Sequence, residues 1–140
     1  MTQVLGVGGV FLKCKDVEAT KHWYQNVLGM SLNDFGGFDF AQDEAVESFG
    51  NAARTIFAPF GPEADYFAPS ELPFMLNLMV DDLDGMLERV RAADVALLQP
   101  PEAYSYGKFA WIMDPDGRKL ELWQPFREET VPTDGLNDGG

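Results

Sequence analysis

Residues 75–90 read MLNLMVDDLDGMLERV, and the change of rhythm inside that stretch decides the architecture. Met75 to Val80 is short, mostly apolar and free of Gly and Pro, which reads as a strand. Its side chains at 75, 77 and 79 take one face and those at 76, 78 and 80 the other. From Leu83 onward the apolar positions Leu83, Met86, Leu87 and Val90 recur at the i, i+3, i+4, i+7 spacing of one helical face. Asp82 stands between the two rhythms, where a carboxylate can accept the orphan N–H groups of the helix start. A strand, a capping Asp and an amphipathic helix follow one another without a linker.

The same grammar occurs 66 residues earlier. Val10 to Asp16 (VFLKCKD) reads as a strand, Asp16 as the cap, and Val17 onward as a helix carrying Trp23, Tyr24, Val27 and Leu28 before Gly29. Gly29 suits a left-handed C-cap, and Asp94, at the matching end of the second helix, is among the few other residues that tolerate positive φ. After each helix come short strand candidates: Ser31–Leu32 and Arg54–Phe57 in the first half, Ala96–Leu98, Phe109–Met113 and Lys119–Trp123 in the second. Asp114-Pro115-Asp116-Gly117 predicts a tight turn joining the last two as a hairpin. Each half therefore reads β-α-β-β-β. Between them, residues 34–71 are acidic and broken by Gly and Pro, which predicts a loop-rich stretch, and residues 127–140 predict a loosely held tail.

The whole chain has 140 residues and a formal net charge of −13. That charge sets it against nucleic acid and anionic membrane surfaces as partners. One cysteine, Cys14, allows no internal disulfide, no apolar run approaches the ~18 residues of a membrane span, and the start MTQVLGVGGVFLKCKD lacks the pattern of a signal peptide. The expectation is a cytoplasmic protein.

Tandem strand-Asp-helix units, with WY…LG after the first strand, VDDLD after the repeat strand and DPDG followed by LELWQP near the end, resemble the vicinal oxygen chelate superfamily, the glyoxalase, bleomycin-resistance and extradiol-dioxygenase group. The resemblance implies an α+β fold. On that resemblance two tandem βαβββ modules are expected to form a curled mixed sheet around a central cavity, with the helices outside. It implies a single domain over residues 1–126, with modules near 5–62 and 72–126, a homodimer, and a small molecule bound in the cavity. It also places four metal-ligand positions. Two fall on Gly9 and Met75, a third falls around Thr55 to Phe57, where no carboxylate or imidazole stands, and only the fourth, Glu121, can bind a hard cation. One ligand of four does not hold a divalent ion, so no cofactor is expected and a metal is disfavoured.

Strand parity then defines the expected pocket: Phe11, Asn77, Met79, Glu121 and Trp123 inward, Lys13 toward a rim, and Tyr106 and Lys108 at the mouth. Glu121 is the candidate catalytic group, as general base or polar anchor, with Lys108 or Lys13 as its expected partner. The leading reading is binding of a small, largely apolar molecule without the usual His-containing metal site. The alternatives are a metal-dependent glyoxalase-like lyase, isomerase or dioxygenase with unusual ligands, and a non-catalytic domain whose aromatic cavity is core.

Overall fold

The structure is a computed structural model and describes residues 2–127; the expected tail from 128 onward lies outside them. Three helices, α1 (Val17–Leu28), α2 (Gln42–Phe49) and α3 (Leu83–Ala92), accompany four strands, β1 (Leu76–Met79), β2 (Glu102–Tyr104), β3 (Gly107–Met113) and β4 (Lys119–Gln124). The strands form one sheet in the order β1-β4-β3-β2, with β1 parallel to β4 and the other pairings antiparallel. This is a mixed α+β fold whose sheet does not close on itself. No helix among the described residues is long and apolar enough to cross a membrane.

The N-termini of α1 and α3 are both capped as their chemistry requires. Asp16 accepts from the Ala19 N–H and Asp82 from the Gly85 N–H, while Gly29 adopts φ 71° and Asp94 φ 61° at the helix ends. The second half forms one complete β-α-β-β-β unit. In the first half, α1 is followed by a single bridge, Leu32 with Phe38, and residues 2–14 and 53–60 run without ladder partners. The strands expected at Val10–Asp16, Ser31–Leu32 and Arg54–Phe57 therefore do not form, since none of these segments has a ladder neighbour beyond that single bridge, and two further expectations change. Residues 95–98 are not a strand: Leu98 makes one backbone bond to Trp111, and the ladder begins only beyond the two prolines, at Glu102. The acidic stretch contains α2, whose Asp43 and Glu44 sit in its first turn, where the helix dipole favours anions.

Parity separates the two sheet faces. Leu76, Leu78, Ala110, Ile112, Leu120 and Leu122 pack against Tyr24, Val27 and Leu28 of α1 and Leu83, Leu87 and Val90 of α3. Each fully buried side chain of this size stabilises the fold by roughly 1.5–3 kcal/mol. The opposite face carries Met79, Phe109, Trp111 and Trp123. The helices are also joined through polar atoms. α1 has no basic residue in its last turn, and Arg89 of α3 fills that place, donating to the carbonyls of Val27, Gln25 and Asn26.

The β3–β4 turn is held from inside. Asp114 Oδ1 accepts from the N–H groups of Asp116 and Arg118, and its Oδ2 accepts from Tyr24 Oη at 2.6 Å and Arg118 Nη1 at 2.7 Å. Burial, reinforced by Asp114, keeps the Tyr24 hydroxyl protonated far above the usual phenol range. Next to it, Asp116 accepts from the Lys15 N–H, Thr20 Oγ1 and Arg118. The backbone bond from Lys15 leads the causes that hold the Asp116 carboxyl below its ordinary value. A group whose folded pKa is depressed contributes stability above its unfolded pKa and loses it as pH falls through the folded one. Urea unfolding between about pH 5 and pH 3 should therefore show the stability gap between wild type and Asp116→Asn narrowing as acid is added. A gap that stays constant would assign the contribution to something other than this charge.

Candidate functional site

Because β3 and β4 are joined by a tight turn, counting outward from it fixes every cross-strand pair, and Trp111 falls opposite Glu121. Phe109 faces Trp123 by the same count, and Met79 pairs with Trp123 across the parallel ladder. Three rings on one pleated face thus lie nearly parallel: Phe109 and Trp111 at 6.3 Å between centroids, Phe109 and Trp123 at 6.2 Å. Tyr104 and Tyr106 extend this aromatic row, stacking on each other at 5.5 Å and meeting Phe109 edge-on. Gly107 leaves the space the Trp123 indole needs, since a Cβ there would lie 2.6 Å from Trp123 Nε1.

Glu121 is 8% exposed in the middle of this surface. Its Oε1 accepts from Asn77 Nδ2 at 2.7 Å, and its Oε2 accepts from Trp111 Nε1 at 2.9 Å and from the Tyr66 hydroxyl. Trp111 Nε1 also lies 3.2 Å from Tyr66 Oη. Tyr66 arrives from the segment before β1, with its ring against Phe60 and its outer side in solvent. Burial first, and then the Glu121 contact, raises the Tyr66 pKa far above the usual phenol range, so the hydroxyl remains a donor. Lys119 sits behind it, donating to the Tyr66 carbonyl at 2.6 Å with its ammonium 4.9 Å from the ring centroid. Burial lowers the Lys119 pKa, against the opposing charges of Glu121 and Asp65. Asn77 and Tyr66 are the exposed members of this centre, while the Phe109, Trp111 and Trp123 rings are buried.

Of the residues expected from the sequence, the structure brings together Glu121, Asn77, Met79 and Trp123, with Tyr106 beside Trp123, whose Nε1 donates to the Tyr106 carbonyl at 3.4 Å. Lys108 does not partner Glu121: its ammonium pairs with Asp84 at 3.4 Å on the surface. Phe11 and Lys13 are not at this centre either. The chain before α1 does not join the sheet, so strand parity does not bring them onto this face. They line a separate cleft with Leu72, Phe74 and Arg118. Two contributors escaped sequence reasoning. Trp111 was within reach of hairpin counting, whereas Tyr66, 55 positions from Glu121, belongs to no periodic segment and carries no local signal.

The residues around Glu121 do not fit a divalent ion. Trp111 Nε1–H can only donate, the Asn77 amide nitrogen is turned toward the carboxylate, and the carboxylate is already met by three donors. No group of three or more His, Cys, Asp or Glu side chains suited to a metal occurs among the described residues. The arrangement instead presents an acceptor for a polar hydrogen. One anionic acceptor lies within an apolar, aromatic surface, with an indole donor beside it able to bond the oxygen of the same group.

Comparison with known proteins gives a match to the model of the Glyoxalase/Bleomycin resistance protein/Dioxygenase superfamily over residues 6–122. Two curated relatives, each called "Putative glyoxylase CFP32", come from Mycobacterium bovis and Mycobacterium tuberculosis; each is 26% identical over 121 residues. The match covers 84% of this chain but 45% of the relatives, so the chain spans less than half of their length. Among solved structures, a glyoxalase/dioxygenase from Nostoc punctiforme superposes with a TM-score of 0.52 at 17% identity, covering 89% of this chain and 98% of that one. A protein of unknown function from Agrobacterium tumefaciens gives 0.51 at 19%, covering 87% and 98%. At such identities these two likenesses speak for the fold alone.

Proposed function

Because the chain belongs to the Glyoxalase/Bleomycin resistance protein/Dioxygenase superfamily, we propose that it holds a small, largely apolar molecule bearing one hydrogen-bond donor, at the Glu121 centre and without a divalent ion. The observation that carries this reading is the Tyr66 hydroxyl seated on Glu121 beside Trp111. The chain's own phenol occupies the position that a ligand hydroxyl would take. A buried carboxylate is a costly way to fill a core, and a pocket with few polar groups on an apolar wall is the usual make-up of a small-molecule site. Asn77, Met79, Trp123 and Tyr106 complete the walls of the proposed site.

The test uses 2-naphthol, a flat apolar probe with one hydroxyl, titrated calorimetrically. Wild type should bind it saturably and more tightly than naphthalene. Hydrogen bonds to charged groups contribute about 1.5–3 kcal/mol, so Glu121→Gln should weaken binding by tenfold or more. The melting temperature should stay within a few degrees, because the Asn77 amide can turn its oxygen toward the new N–H. Equal affinity for the two probes, or binding untouched by Glu121→Gln, would overturn the reading.

The same reading includes pairing of two copies. It is supported by apolar side chains exposed across the first half away from the cleft of Phe11, among them Val4, Leu5, Phe35, Phe40 and Phe57. Sedimentation that finds only monomer at all concentrations would reject it.

A further inference from the structure

The cleft that contains Phe11 and Lys13 has a chemistry independent of Glu121. It is an open cleft of about 430 Å³, a volume within the range of small-molecule sites. Phe11 and Leu12, from the chain before α1, form one apolar wall, and Leu72 and Phe74, from the approach to β1, form the other. Lys13 and Lys15 also line it, both exposed, and neither ammonium has a carboxylate within ion-pair distance among the described residues. In a chain with 23 acids and 10 bases, two cations without an ion-pair contact at one cleft are conspicuous, although the charge of Lys15 is felt at Asp116.

Asp116 borders the same space, but its carboxylate is already engaged. Oδ1 receives the Lys15 N–H, and Oδ2 receives Thr20 Oγ1 and Arg118 Nη1. Arg118 is likewise turned inward, donating through Nη2 to the Lys13 carbonyl and contacting Cys14 Sγ at 3.7 Å. That bond fixes the backbone between the two lysines, leaving their side chains as the charges available to a ligand.

We propose that this cleft binds an amphipathic anion, its carboxylate at Lys13 and Lys15 and its hydrocarbon tail between Phe11, Leu12, Leu72 and Phe74. A cation would meet only Asp116, whose oxygens are taken. A small inorganic anion would bury none of the apolar walls and would depend on two exposed lysines, a weak hold in water. A carboxylate with a tail uses both features at once.

Decanoate is the probe. Calorimetry on the full chain should give one saturable site, and bound decanoate should slow alkylation of Cys14 by iodoacetamide, because this thiol lines the same cleft. Two exposed ion pairs contribute together on the order of 1.4 kcal/mol, so the Lys13→Gln, Lys15→Gln double variant should bind about tenfold more weakly. Both side chains are exposed, so its melting temperature should match wild type. Phe11→Ser, also at an exposed position, should weaken binding through the tail. Absence of saturable binding, equal binding of decyltrimethylammonium, unchanged affinity in the lysine double variant, or Cys14 alkylation at the same rate with decanoate bound would each overturn the proposal.

Discussion

Arg118→Met should lower the stability of the protein by roughly 3–5 kcal/mol, the range found when one partner of a buried ion pair is removed. For a domain of this size that is a fall in melting temperature of about 10 °C or more. The Arg118 side chain is 3% exposed and that of Asp114 is fully buried. Methionine fills much of the space but leaves the Asp114 charge with only Tyr24 and two turn amides, and orphans the Lys13 carbonyl. Tyr24→Phe removes one hydrogen bond from the same carboxylate and should cost less, about 1–3 kcal/mol. The double variant should differ from the sum of the two, because both residues act on Asp114 Oδ2. Urea midpoints would measure all three. A loss below about 1 kcal/mol for Arg118→Met would mean that Tyr24 and the turn amides satisfy Asp114 without the guanidinium.

Trp111→Ala should destabilise by roughly 3–5 kcal/mol, the usual cost of emptying a large aromatic site. It should also abolish 2-naphthol binding, since it removes both the ring at the Glu121 end of the row and the indole donor. Trp111→Phe separates the two contributions. It retains most of the buried area and deletes the N–H shared by Glu121 and Tyr66, so its stability loss should fall to about 1–2 kcal/mol while probe affinity still drops. Thermal melts and calorimetry on both variants decide the matter. If Trp111→Phe binds 2-naphthol as well as wild type, the indole N–H has no part in recognition.

Most of the second half was legible from sequence because its devices are local; the exception is its second strand, expected at 96–98 and found at 102–104, past the two prolines. The parity of residues 75–80 sorts one sheet face from the other, Asp82 and Asp94 mark the ends of α3, and Asp114 to Gly117 sets a hairpin whose register follows by counting. The first half was not, for two reasons. Residues 10–14 have strand-like alternation, but a strand also needs a neighbour to bond, and this segment has no ladder partner; Phe11 and Lys13 therefore left the expected pocket. Tyr66 reaches Glu121 from an irregular segment, where position in the chain implies nothing about position in space. The partner of Glu121 was sought among lysines on the grounds of charge. The structure supplies neutral donors instead, which satisfy a carboxylate without cancelling it.

Arg89 carries a consequence for recombination. The chain is written as a repeated phrase, which invites exchange of its halves with those of a relative. Yet the negative pole of the first helix is neutralised by a side chain encoded in the second phrase, through the carbonyls of Gln25, Asn26 and Val27. A chimera that kept Asp16 and Gly29 but took its second half from a sequence without a cation at position 89 would inherit both helix signals and leave that pole bare. The repeat is a unit of spelling and not a unit of inheritance.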